Sequence, residues 1–187
     1  LIGYSNYFFT RKGDETIIKN QTKFSVKILG LTIFKVEGYA EEKYINDQLI
    51  SYNSKTLQND VKKYVNINFV KDENKFQIKG SSYNGEASVQ NIIGNWWNHK
   101  ILQTNTQISP ISGSIKEQVV TFIGKEKINQ YGKIYTVDHF TLKSKDMTLP
   151  KDKRLDFNIW YDPKNASIVK VSYSRMGNWE YRLKNFE

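Results

Sequence analysis

Residues 154–161 read Arg154-Leu155-Asp156-Phe157-Asn158-Ile159-Trp160-Tyr161, with an apolar side chain at every second position. Successive side chains of an extended chain point to opposite faces. Leu155, Phe157, Ile159 and Tyr161 therefore share one side, and Arg154, Asp156, Asn158 and Trp160 the other. One packed side and one wet side mark an antiparallel sheet. Trp160 is the exception on the wet side. A tryptophan beside Asp156 and Asn158 either covers another element or belongs to a binding surface.

The same period runs outward in both directions. Thr22, Phe24, Val26 and Ile28 alternate with Lys23, Ser25 and Lys27, and Val61, Val65, Ile67 and Phe69 with Lys62, Asn66 and Asn68. Between such runs stand turn residues: Lys12-Gly13-Asp14, Asn46-Asp47, Asn59-Asp60, Asp72-Glu73-Asn74, Tyr131-Gly132, Asp162-Pro163-Lys164-Asn165 and Met176-Gly177-Asn178. The spacing predicts about ten or eleven strands in hairpin succession, near residues 2–11, 16–29, 31–45, 49–58, 61–71, 75–80, 114–128, 132–145, 154–162, 166–175 and 178–186. The expected fold is mainly all-β: a strongly curved antiparallel meander forming a half-open barrel. No linker composition divides the chain, so residues 1–187 are expected to form a single β domain.

The rhythm breaks from Gly80 to Pro110, and the break holds Asn95-Trp96-Trp97-Asn98-His99. Long irregular stretches inside compact domains are usually functional loops or disordered linkers, and paired tryptophans argue for order. Ile92, Ile93, Trp96, Trp97, Ile101 and Leu102 recur near helical spacing. A long loop or short helical plug is expected near residues 81–110.

Composition excludes several chemistries. With no cysteine there are no disulfides and no thiolate metal sites, and two histidines, His99 and His139, cannot supply a three-histidine zinc site. No metal or cofactor is expected. The sequence has no Gly-x-Ser-x-Gly elbow and no phosphate-cradling glycine loop. Paired carboxylates such as Glu41-Glu42 carry no signal of a raised pKa, and Asp138 points away from His139 if both lie on a regular strand. The net charge of +9 comes from lysines spread along the chain between apolar positions, the pattern of solvated sheet faces rather than a nucleic-acid patch. No apolar run is long enough for a membrane-spanning helix.

Aromatic surface remains as the main chemical resource, with 4 Trp, 12 Tyr and 10 Phe. The candidate ligand-binding residues are Trp96, Trp97, His99, Trp160, Tyr44, Tyr52 and Tyr161, with Tyr44 and Tyr52 flanking the Asn46-Asp47 turn. No catalytic residue is assigned.

Several local patterns together resemble a family of exported bacterial β proteins known as a domain of unknown function. They are Ile2-Gly3-Tyr4 with Arg11-Lys12-Gly13-Asp14, Glu42-Lys43-Tyr44-Ile45-Asn46-Asp47-Gln48-Leu49, Asn53-Ser54-Lys55-Thr56, Asn95-Trp96-Trp97-Asn98 and Trp160-Tyr161-Asp162. The resemblance implies export to the periplasm or cell surface and a meandering curved sheet, and it implies no activity. A first residue other than Met agrees with removal of a secretion signal. In architecture the expected sheet is similar to the half-barrels of lipoprotein carriers.

The leading expectation is a periplasmic or secreted binding or carrier protein, acting as a monomer. Its partner is an apolar or amphipathic, lipid-like small molecule, with an anionic membrane surface as a second partner and no nucleic acid. Trp96 and Trp97 would lid or wall the cavity, and lysines would form a rim for an anionic headgroup. A second expectation is a cofactor-independent enzyme with His99 or His139 as acid or base near Asp138, Tyr161 or Asp162. A third is a structural or interaction protein of the envelope.

Overall fold

In the computed structural model, residues 2–29, 31–174 and 178–184 are described. Leu1, the turn residues Met176-Gly177 and the expected end of the last strand past residue 184 lie outside them. Among the described residues fourteen strands form two seven-stranded sheets. The first sheet runs in chain order through β1 (Gly3–Lys12), β2 (Glu15–Ile28), β3 (Leu31–Ile45), β4 (Gln48–Gln58), β5 (Val61–Val70), β6 (Lys75–Gly80) and β7 (Asn84–Ser88). The second contains β8 (Ile92–Ile93), β9 (Thr106–Ile108), β10 (Ile115–Gln130), β11 (Lys133–Ser144), β12 (Asp156–Asp162), β13 (Ser167–Ser174) and β14 (Asn178–Arg182), also as chain-order neighbours.

The mainly β, antiparallel reading holds, and the single meander of ten or eleven strands is corrected to two sheets. Alternation reports that one face of a strand is packed; it carries no record of which sheet the strand joins. The segment 81–110 is corrected as well. Instead of one loop or plug it holds β7, β8, a 3-10 turn at His99–Gln103 and β9. Gly80 is tightly placed there, since a Cβ on it would stand 2.5 Å from the Ser112 carbonyl oxygen.

Two compact units result. Residues up to Asn91 pack with Ile108–Ile115, and Ile92–Gln107 pack with the chain from Lys116 onward. In the first unit the turn chemistry works as the residue types demand. Asn46, Asp47, Asn59, Asp60 and Asn74 all adopt positive φ, the conformation short polar side chains tolerate best. Its core is built from directly paired positions: Ile18, Glu42, Tyr52, Ile67 and Ile78 stand side by side across β2 to β6. All five are buried.

The second unit buries Ile101, Leu142, Ile159, Ile168 and Val171 as one cluster, with Trp96, Phe140, Phe157, Tyr161 and Tyr181 packed against it. Each of these aliphatic side chains contributes about 1.5–3 kcal/mol of transfer free energy on full burial. Ile159 and Phe157 are the inward residues that the alternation of 154–161 predicts. At the far end of β10, Gln130 Nε2 donates to the carbonyls of Val169 (3.0 Å) and Leu183 (2.7 Å), on β13 and just past β14. These two bonds join β10 to β13 and the end of β14, so the sheet is curled about the face opposite the core cluster, onto which Gly124, Glu126, Ile128 and Gln130 alternate.

Candidate functional site

Tyr44 and Tyr52 belong to the first unit. Tyr44 donates to the buried Glu42 carboxylate at 2.7 Å, and Tyr52 donates to the Pro110 carbonyl at 2.9 Å. Ser54 donates to the same carbonyl at 2.8 Å. Burial, with the Glu42 carboxylate adding to it, pushes the Tyr52 phenol far above the usual tyrosine range. Tyr52 is thus a neutral donor that ties segment 108–115 to β4. That role is structural.

Trp96, Trp97, His99, Trp160 and Tyr161 belong to the second unit, where β12 sorts them. Trp96 packs edge-on against Phe157, with centroids 5.0 Å apart, and joins the wall of the core cluster. His99 stacks on Tyr161 at 5.4 Å on that same side. Trp97 is half-buried. The two asparagines around the doublet shape the chain. Asn98 accepts from the Lys100 amide to cap the 3-10 turn, and the Asn98 amide leans on Asn95 Oδ1. Gln118 on β10 then fastens the turn, donating to the carbonyls of Ile101 and Thr104 at 2.9 Å each.

Trp160 stands on the other face of β12, inside the curl. Pairing places Gly124, His139, Trp160, Lys170 and Arg182 in one row across β10 to β14. Two bulges lie beside this row. Ile123 is the extra residue between the Phe122 and Gly124 pairs, and Val169 is the extra residue beside the Trp160 and Tyr161 pairs. His139 stacks on the indole of Trp160 with centroids 4.7 Å apart and planes within 12°. Lys170 Nζ lies 4.3 Å from the indole centroid, a cation-π contact.

Carboxylates brace the row on both sides of the indole. Glu126 Oε1 accepts from Trp160 Nε1 at 2.6 Å and lies 3.2 Å from His139 Nδ1. His139 Nε2 lies 3.1 Å from Asn158 Oδ1. Beyond the tryptophan, Lys170 pairs with Glu180 at 2.8 Å, and Arg182 grips the same carboxylate. Hydrogen bonding from Lys170, then from Arg182, holds the Glu180 carboxyl below its ordinary pKa, against the opposing effect of burial. The arrangement fixes an imidazole, an indole and an ammonium as a preorganised aromatic and polar surface on the inside of a curled sheet.

Sequence reasoning singled out Trp160 and weighed His139, but it missed Glu126, Asn158, Lys170 and Glu180 as their partners. A signal existed. A two-residue turn at Tyr131-Gly132, both at positive φ, pairs Gln130 with Lys133 and carries Glu126 to Val137, next to His139. The orienting carboxylate comes from the neighbouring strand, while Asp138 points to the opposite face as alternation requires. Among the described residues no group of three His, Cys, Asp or Glu side chains converges as a metal site.

No curated protein and no solved structure matches this chain. Residues 1–184 match the model of a domain of unknown function, DUF6134, and the chain belongs to that family.

Proposed function

We propose that this protein is an extracytoplasmic binding or carrier protein for an amphipathic small molecule, which it holds on the curled inner face of the second sheet. The observation that carries this reading is the row His139–Trp160–Lys170, stacked and braced by Glu126 and Glu180. Binding sites are mostly concave and apolar with a few placed polar groups, and this face combines Trp160 and buried Val137 with an imidazole, an ammonium and carboxylates. Fixed rotamers lower the entropy lost on binding.

Export is part of the proposal, as the resemblance to exported β proteins implies. Trp96 enters it as a wall that backs β12, not as a lid. The test is native mass spectrometry of protein isolated from its own host, with Trp160→Ala beside the wild type. A bound amphiphile should accompany the wild type and be lost from the folded variant. A ligand retained by Trp160→Ala, or none on the wild type, overturns the reading.

A further inference from the structure

The row of stacked side chains is one member short. Lys170, Trp160 and His139 occupy successive positions, and the next position belongs to Gly124, which has no side chain. A Cβ built on Gly124 meets no atom outside its chain neighbours within 4 Å, so the space above it is open. One face of the His139 ring rests on Trp160, and the other faces this gap. Ile123, the extra residue of the bulge, is about half exposed beside it.

The charge next to the gap is negative. Glu126 stands two residues along the same face, its side chain 44% exposed, and it commits Oε1 to Trp160 and His139. Lys125 and Lys127 alternate to the opposite face, and Lys170 is both beyond the indole and paired with Glu180. A group that completes the row must therefore be flat, to stack on the imidazole, and cationic with N–H donors, to meet the carboxylate. An ammonium satisfies the charge and fails the shape; a guanidinium satisfies both.

We propose that the gap over Gly124 is a binding site for a guanidinium group, stacked on His139 and hydrogen-bonded to Glu126. The proposal deepens the binding function given above and rests on it, naming the polar end of the ligand. The guanidinium can arrive on a free small molecule or on an arginine side chain of a peptide.

The experiment is a titration of the full chain, followed by the NMR signals of the His139 ring and the Trp160 indole, with ethylguanidinium, ethylammonium and acetyl-Gly-Arg-Gly-amide as probes. Ethylguanidinium should bind at least tenfold more tightly than ethylammonium. Gly124→Phe, which fills the gap, should abolish binding. Glu126→Gln, which keeps an acceptor for the indole, should weaken it about tenfold. Tighter binding of the peptide assigns the group to arginine; tighter binding of ethylguanidinium assigns it to a small molecule, and either supports the site. Equal affinity for the two ethyl cations, or wild-type affinity in a folded Gly124→Phe or Glu126→Gln variant, overturns it. A co-purifying amphiphile with no guanidinium binding removes only this proposal, whereas guanidinium binding with no amphiphile removes the broader function.

Discussion

Single side chains in this protein do work that their position in a strand pattern does not announce. Tyr52 and Ser54 share one acceptor, the Pro110 carbonyl. Tyr52→Phe leaves that carbonyl one donor, so denaturant unfolding should show a loss of only about 0.5–1.5 kcal/mol, the net value of one hydrogen bond. Ser54→Ala combined with Tyr52→Phe should cost more than the sum of the two, because the buried acceptor then has neither partner. Glu180 is a second case. Its folded-state pKa is depressed, so its stabilisation is present above the unfolded value of about 4.3 and is lost as pH falls through the lower folded value. The stability difference between wild type and Glu180→Gln should therefore be present at neutral pH and vanish in acid. With a third of the side chain exposed it should stay below about 1 kcal/mol and shrink with added salt.

At the scale of elements, the alternation of 154–161 was a reliable guide to β12. Phe157 and Ile159 face the core, and Trp160 faces away from it. Hairpin turns were equally legible, since Asn, Asp and Gly announce positive φ by residue type. The bulges were not. Ile123 and Val169 look like ordinary strand residues, yet each inserts one position: Val169 brings Lys170 opposite Trp160, and Ile123 brings Phe122 opposite Phe140. Glu126→Ala removes the acceptor of the indole N–H, so it should shift the Trp160 Nε1–H resonance while leaving the pairing of β10 with β11 in place. The helical spacing around the tryptophan doublet is borne out only over the short 3-10 helix at His99–Gln103. It reflects packing of Trp96 and Ile101 on the core through a single 3-10 turn. That turn depends on Gln118, and Gln118→Ala should destabilise the fold by about 2–4 kcal/mol by leaving two inward carbonyls without donors.

For the whole molecule, the β class was legible and its partition was not. Every strand follows its chain neighbour within its sheet, so nothing in the order of turns marks where one sheet ends. The division falls between Ser88 and Ile92, where a tight turn returns the Asn91 amide to the Ser88 carbonyl. The partition also separates the predicted site residues. Tyr44 and Tyr52 are fastened into the first unit, Trp96 and His99 pack on the core side of the second, and Trp160 lies in the curl. The stacked row and its carboxylates are the surface that the proposed ligand would meet. The most direct measurement is an NMR titration with a soluble single-chain amphiphile, following the indole Nε1–H signals of Trp96, Trp97 and Trp160 together. Binding in the curl should shift Trp160 and the His139 ring while the Trp96 signal stays in place. Shifts confined to Trp96, Trp97 or His99, with Trp160 unmoved, would contradict it.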